Sequence, residues 1–293
     1  MPYYVFALTA AVIFSLLIHL QRIYAAGTDG LKGATISVVS TAIFFWAISP
    51  LTVEPVWWQN NVIWIFAACG LMFPAMGQLM QILAIQRVGP NVTASVGAFM
   101  PIFAITPALF FLGERLGAQG VVGLTILIAG LLIAAYPGRG RARDQSLDWP
   151  LIFLIFPLGA AMARGITQPL SKFGYTILPE PSFATMIMAT VSSGVLILMM
   201  LFRREPRSFA VTWSARHTVF FAVNGILNGI GILCLQQSLN IGDVSRTAPL
   251  VAMSPLITWI MSALFFRSQN AGWRHFVMAA LVVVGGILVV TRP

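Results

Sequence analysis

A chain of 293 residues with 58% apolar and only 9% charged residues cannot form a soluble globular domain, because soluble domains carry about 25% charged residues. The net charge is +9, but the basic residues lie in short segments between apolar runs, which is typical of membrane topology signals and not of nucleic-acid binding. The composition therefore predicts an all-α integral membrane protein embedded in a lipid bilayer.

Ten apolar segments are each long enough to cross a bilayer as a helix, which takes about 20 residues. The first segment lacks a basic start and a clear small-residue cleavage site, so we interpret it as a helix and not as a signal peptide. The connections between segments are short, and none is long enough for a soluble domain. The predicted helices are 3–24, 33–51, 61–84, 91–112, 118–136, 150–173, 181–202, 217–240, 245–266 and 272–291.

The ten segments divide into two halves of five that share a pattern. Thr93, Ala98 and Pro101 recur at one constant spacing as Thr247, Ala252 and Pro255. Because five is an odd number, the halves insert in opposite directions, as in inverted-repeat transporters whose binding site lies near the midplane. We therefore predict two inverted five-helix repeats around a central cavity, formed by residues 1–138 and 149–293.

The stretch Gly-Glu-Arg-Leu at 113–116, a glycine-rich fifth helix and the five-plus-five plan resemble the EamA branch of the drug/metabolite transporter superfamily. Within that branch the chain is similar to amino acid exporters, including the YddG-type exporters of aromatic amino acids. The resemblance implies a secondary transporter of the bacterial inner membrane, with no cofactor. The sequence departs from the family pattern at 266–270, where Phe-Arg-Ser-Gln-Asn replaces the second copy of the Glu motif.

The acidic residues all lie in connections or at helix ends, so the sequence predicts no carboxylate in the middle of the membrane. An intramembrane carboxylate would be the usual group for exchanging protons against hydrophobic cations. Its absence argues against the runner-up function, a drug or hydrophobic-cation exporter. A membrane-embedded lipid enzyme is a weaker alternative still, because no catalytic residues and no metal-binding cluster stand out. The eight acidic residues are Asp29, Glu54, Glu114, Asp144, Asp148, Glu180, Glu205 and Asp243.

Polar residues form stripes on four predicted helices, each at a spacing that places them on one helix face. Such groups are costly in lipid and are expected to face the interior of the bundle, where they would bind a small-molecule substrate. The alternatives are that Asn and Gln side chains only bond helices together, and that His19 is a packing residue. The candidate binding residues are His19, Gln78, Gln81, Arg164, Gln168, Asn224, Asn228 and, one turn after a proline, Trp259.

Arg164 is the strongest of these candidates. It lies about 20 Å along its helix at a rise of 1.5 Å per residue, too deep for its side chain to reach the membrane surface. A guanidinium binds a carboxylate with two parallel hydrogen bonds, so an amino acid is the expected substrate. If protons are coupled to transport, His19 is the expected carrier, because its pKa lies near physiological pH.

Prolines and glycines interrupt the same helices. Proline kinks are expected at gates, and the predicted set is Pro74, Pro101, Pro249 and Pro255. Glycines of the fifth and tenth helices predict close packing or a dimer surface, and hence a monomer or a weak homodimer. Most of the 17 Lys and Arg residues lie in odd-numbered connections. The positive-inside rule therefore places both termini outside, whereas the family resemblance implies termini in the cytoplasm.

Overall fold

The computed structural model describes residues 1–24, 28–97, 99–135, 151–202, 213–265 and 273–291, and every regular element in these ranges is a helix. Five helices are long and apolar enough to cross a membrane, and four further apolar helices have 10–17 residues. The all-α membrane fold is therefore confirmed, while exactly ten crossings stays a prediction. The five long spans are Gly30–Thr52, Ile63–Ala84, Leu151–Ile177, Pro181–Leu201 and Ala215–Ile241.

Twelve α-helices, numbered α1 to α12, occupy the described part of the chain, and a π-helical turn, Leu71–Met76, joins α3 to α4. Short 3-10 turns, Pro55–Gln59 and Leu151–Leu154, lie before α3 and α7. The first half contains α1 Tyr3–Tyr24, α2 Gly30–Thr52, α3 Ile63–Gly70, α4 Gly77–Gly97, α5 Met100–Phe111 and α6 Ala118–Ala135. The second half contains α7 Ile155–Ile177, α8 Pro181–Leu201, α9 Ala215–Ile241, α10 Val244–Val251, α11 Ser254–Phe265 and α12 Trp273–Val290.

The predicted connection between the third and fourth segments does not interrupt the helix. α4 extends through Gly89 and Pro90 to Gly97, and α5 begins at Met100. A proline removes only one N–H from the helix, and membrane helices tolerate that loss because neighbouring groups satisfy the freed backbone carbonyl. A helix can therefore run through Gly89 and Pro90. In the second half, the turn at 252–253 separates α10 from α11.

The packing of the helices relates the two halves to each other. α1 packs against α9 and α11, and its counterpart α7 packs against α4 and α5. α2 packs against α9, and its counterpart α8 packs against α3 and the π-helical turn. The remaining large contacts join equivalent helices, α2 to α8 and α6 to α12. These pairings are the ones expected when two similar halves exchange places about a two-fold axis.

The glycines of α6 and α12 face each other within the chain. A Cβ atom added to Gly285 would lie 2.6 Å from the carbonyl oxygen of Gly123, and one added to Gly123 would lie 2.8 Å from the carbonyl oxygen of Gly285. Only residues without side chains allow the two backbones to approach so closely. These glycine faces are therefore used for packing inside the chain, and the prediction of a monomer or weak homodimer stays untested.

Contacts between connections define two ends of the bundle. At one end, which we call the termini end, Ser238 Oγ donates a hydrogen bond to the carbonyl of Tyr3 at 2.9 Å, and Gln119 Nε2 donates to the carbonyl of Leu288 at 3.2 Å. At the other, the basic end, Lys32 Nζ lies 4.5 Å from the ring centroid of Trp213.

Candidate substrate-binding site

The polar face of α7 is divided between structural residues and candidate binding residues. Thr167 Oγ1 donates to the carbonyl of Ala163 at 2.6 Å, and Ser171 Oγ donates to Cys69 Sγ at 3.5 Å. Both side chains are buried and satisfied by protein groups. The groups left for a ligand are therefore Arg164 and Gln168, which are one helical turn apart on the side of α7 that packs against α4 and α5.

Arg164 has an aromatic neighbour but no anionic partner. Its guanidinium carbon lies 5.2 Å from the ring centroid of Phe73, and its Nε atom is buried without a hydrogen-bond partner. No carboxylate among the residues that the structure describes lies within ion-pairing distance of it. An unpaired cation inside a membrane-spanning helix is costly, so this position is suited to an anionic group of a ligand.

The position of Phe73 depends on an interruption of its helix. Phe73 has φ −147° and ψ 130° inside the π-helical turn, directly before Pro74. Gly77 makes room for the pair, because an added Cβ would lie 3.0 Å from the Phe73 ring and 3.4 Å from Arg164 Cγ. The structure thus places a break at Pro74, next to Arg164. A gating role for that break stays a prediction.

Gln168 extends the site toward α5. Its side chain is 3% exposed, and its Nε2 atom lies 3.9 Å from Met100 Sδ. Its Oε1 atom is buried and has no hydrogen-bond partner. Gly165 allows α5 to approach, since an added Cβ would lie 2.5 Å from Phe103 Cβ. A buried amide oxygen without a donor costs free energy, so it is a second position suited to a ligand, here to an N–H group.

The other predicted residues lie on the helices that pair with α7 and α1. Gln78 and Gln81 are half-buried on α4, and Gln78 directly follows Gly77, which lies beside Arg164. Asn224 is 1% exposed and Asn228 is half-buried, both on α9. No described contact joins Gln81, Asn224 or Asn228 to Arg164. The structure therefore brings Arg164, Gln168 and the start of α4 together, and leaves the α9 residues as a separate group.

Several predicted positions cannot be placed in the site. The side chains of His19, Pro255 and Trp259 lie outside the described residues. Pro101 lies in the first turn of α5, where its missing N–H costs nothing, and its role in gating stays a prediction. Pro249 is buried inside α10.

Sequence reasoning missed a buried polar network on α9. Gln236 is 2% exposed; its Oε1 accepts a hydrogen bond from Tyr175 Oη at 3.1 Å, and its Nε2 donates to Ser171 Oγ at 3.4 Å. The signal that could have found it was a Gln two turns beyond Asn228 in an apolar helix. Tyr175 belongs to the main apolar core with Phe66, Phe183 and Val244. This packing joins the two halves of the chain at the termini end.

A bundle of two alike helical halves with an unpaired guanidinium inside one helix has the architecture of a membrane transporter. The chain belongs to the EamA-like transporter family, whose family model matches residues 1–136 and 151–291. The resemblance predicted from residues 113–116 is confirmed at this level. A solved structure described only as the crystal structure of a protein shares the fold, with a TM-score of 0.76 and 17% identity over 98% of this chain and 95% of that one. No curated protein matches the chain.

Proposed function

We propose that this chain is a secondary transporter that exports small organic solutes bearing a carboxylate, in particular amino acids, across the bacterial inner membrane by alternating access. Membership of the EamA-like transporter family supports transport. The observation that carries the choice of substrate is the unpaired guanidinium of Arg164 inside α7. The proposal includes ten crossings, with both termini outside, and transport that is facilitated or at most weakly linked to protons through His19.

The chemistry of the two unsatisfied groups matches a zwitterion. The guanidinium of Arg164 would bind the substrate carboxylate with two parallel hydrogen bonds. The free Oε1 atom of Gln168, one turn away, would accept a hydrogen bond from the substrate ammonium group. Phe73, Met100 and Phe103 supply apolar surface beside these groups, which suits an apolar or aromatic side chain.

The same charge disfavours the alternative of a drug or hydrophobic-cation exporter. A cationic substrate would have to lie near an uncompensated guanidinium, and like charges brought together in a site of low dielectric repel strongly. The described part of α7 and its neighbours offers no carboxylate to offset that repulsion. In the proposed site, the Arg164 guanidinium would therefore repel organic cations and so discriminate against them.

Counterflow of labelled amino acids in proteoliposomes tests the proposal. We expect uptake of an aromatic or aliphatic amino acid but not of the amine that lacks its carboxylate. Replacing Arg164 with Ala should reduce kcat/KM by at least about 30-fold, because a buried charge pair loses about 2–5 kcal/mol when one partner is removed.

Arg115→Ala is the matched control, since Arg115 is exposed in the connection after α5. It removes the same charge outside the site, and counterflow should stay at the wild-type level. Arg164→Lys should recover only part of the activity, because an ammonium cannot form the two parallel hydrogen bonds. Equal transport of the amine and the amino acid, or normal counterflow by Arg164→Ala, would show that the substrate assignment is wrong.

A further inference from the structure

A carboxylate from the first half of the chain binds the start of a helix from the second half. Glu114 Oε1 accepts a hydrogen bond from the backbone N–H of Val244 at 2.7 Å, and Glu114 Oε2 accepts one from the N–H of Ser245 at 2.8 Å. Val244 and Ser245 are the first two residues of α10. Such N–H groups have no partner within their own helix, and the positive end of the helix dipole further favours a carboxylate there.

The backbone before Glu114 is shaped to direct it across to α10. Gly113 has φ 65°, a left-handed conformation that strains any residue with a side chain. The N–H of Glu114 donates to the carbonyl of Ala108 at 3.3 Å, which anchors the turn to the end of α5. The Gly-Glu pair therefore forms one unit, in which the glycine sets the turn and the glutamate makes the contact.

This contact belongs to the packing between the two halves at the termini end. Val244 is fully buried in the main apolar core together with Cys69 and Phe183. In the same region, the Ser238 and Thr247 hydroxyl groups lie 3.1 Å apart, and Ser238 also binds the carbonyl of Tyr3. The start of α10 is thus a junction between the halves, held by Glu114 from the first half.

The sequence does not allow the same contact at the basic end. At the spacing that relates Thr93 to Thr247, the counterparts of Val244 and Ser245 are Pro90 and Asn91, and the counterpart of Glu114 is Ser268. Proline has no N–H to donate, and serine has no carboxylate. The carboxylate and one of the two N–H donors are therefore missing at the matching positions.

We infer that Glu114 is a one-sided latch, which holds the termini end shut and must release the start of α10 when that end opens. Because the position that matches Glu114 in the second half is Ser268, which has no carboxylate, the latch biases the protein toward the conformation open to the basic end. The inference rests on the proposed function only in that it requires alternating access, and not on the identity of the substrate.

Cys69 provides a native reporter for opening of the termini end, because it is fully buried in the core that contains Val244. In a Cys234→Ser background, which removes the other cysteine, Cys69 should react slowly with a water-soluble maleimide in nanodiscs. Glu114→Gln should raise that rate about tenfold, because one carboxylate oxygen is replaced by a donor that cannot accept the N–H of α10.

Val244→Pro tests the same latch from its other side while leaving Glu114 unchanged. Proline is tolerated in the first turn of a helix, and Asp243 has φ −73° and ψ 148°, which suits the residue before a proline. The substitution installs the residue found at the matching position of the first half, Pro90. It removes one donor, and we expect a similar, about tenfold, increase in labelling of Cys69.

Arg246→Gln is the matched control, because it breaks the Arg246–Asp243 ion pair, 3.5 Å long, at the same end without touching the latch. The rate of Cys69 labelling in Arg246→Gln should equal that of the wild type. An equal increase in all three variants would mean that any substitution at this end loosens the packing, and it would overturn the inference. If a folded Val244→Pro variant is labelled at the wild-type rate, the contact is a static brace and the inference is overturned. This outcome is decisive even if Glu114→Gln does not fold. Labelling does not depend on transport, so the latch can hold even if the counterflow experiment rejects amino acids.

Discussion

At the scale of single residues, the pair of Arg164 and Phe73 explains how a cation persists in the membrane. A charged residue at the centre of a spanning helix costs about 2.5–3.5 kcal/mol on insertion scales. A guanidinium over an aromatic face gains about 0.5–2 kcal/mol. With the ring centroid 5.2 Å from the guanidinium carbon, Phe73 offsets part of the cost, while the buried Nε atom still has no hydrogen-bond partner. The remaining deficit is what a bound carboxylate would supply.

Replacing Phe73 with Leu should therefore weaken substrate binding more than it slows turnover. The guanidinium loses the surface that orients it, and we expect KM in counterflow to rise about tenfold, with a smaller change in kcat. Phe73→Tyr keeps the aromatic face and should retain a KM close to that of the wild type. If Phe73→Leu transports with an unchanged KM, the ring does not position Arg164.

Arg164 could be identified from the sequence because a charge inside an apolar segment is conspicuous, but its neighbour could not. Phe73 is one of 21 phenylalanines, and only its non-helical backbone and its distance to Arg164 distinguish it. Glu114 was visible as part of a family motif. Its partners were not, because they are backbone N–H groups of a helix in the other half of the chain.

At the scale of helices, the apolar runs predicted most helix bounds well, because the length of a spanning segment is set by the thickness of the bilayer. The predicted second helix, 33–51, lies within Gly30–Thr52, and the predicted eighth, 217–240, lies within Ala215–Ile241. The difference at 85–90 came from interpreting Gly89 and Pro90 as a break between two helices, whereas α4 runs from Gly77 to Gly97 as one element, because a single proline removes only one N–H from a helix.

The close contact between α6 and α12 leads to a prediction on stability. Gly285→Ala should lower the melting temperature in detergent by several degrees, because the new Cβ would lie 2.6 Å from both the carbonyl oxygen of Gly123 and the amide nitrogen of Leu127. Gly194→Ala is the matched control: Gly194 is exposed within α8 and has no atom within 4 Å of an added Cβ. It should be neutral or stabilising, since alanine favours helix more than glycine does. Equal melting temperatures for the two variants would contradict the close packing.

At the scale of the whole molecule, the two halves are alike in packing but differ in polar contacts. The pairing of α1 with α9 and of α7 with α4 follows the repeat. The polar contacts do not follow the repeat. The Glu114 latch lies at the termini end, whereas the basic residues Lys32 and Arg87 lie at the basic end. A repeat can therefore be predicted from matched residues, whereas the differences between the two ends decide which way the protein faces and which state it prefers.

The last prediction concerns orientation. The basic end carries Lys32 and Arg87, and the basic connections 137–149 and 203–216 join helices at the same end. At the termini end, Arg246 is paired with Asp243, which reduces its weight as a topology signal. The positive-inside rule therefore places the basic end in the cytoplasm and both termini outside, against the orientation that the family resemblance implies. An alkaline phosphatase fusion at Pro293 should be active and a green fluorescent protein fusion there dark, while the same fusions after Arg143, between the halves, should give the reverse. A fluorescent fusion at Pro293 together with an active phosphatase after Arg143 would show that the family orientation prevails over the charges.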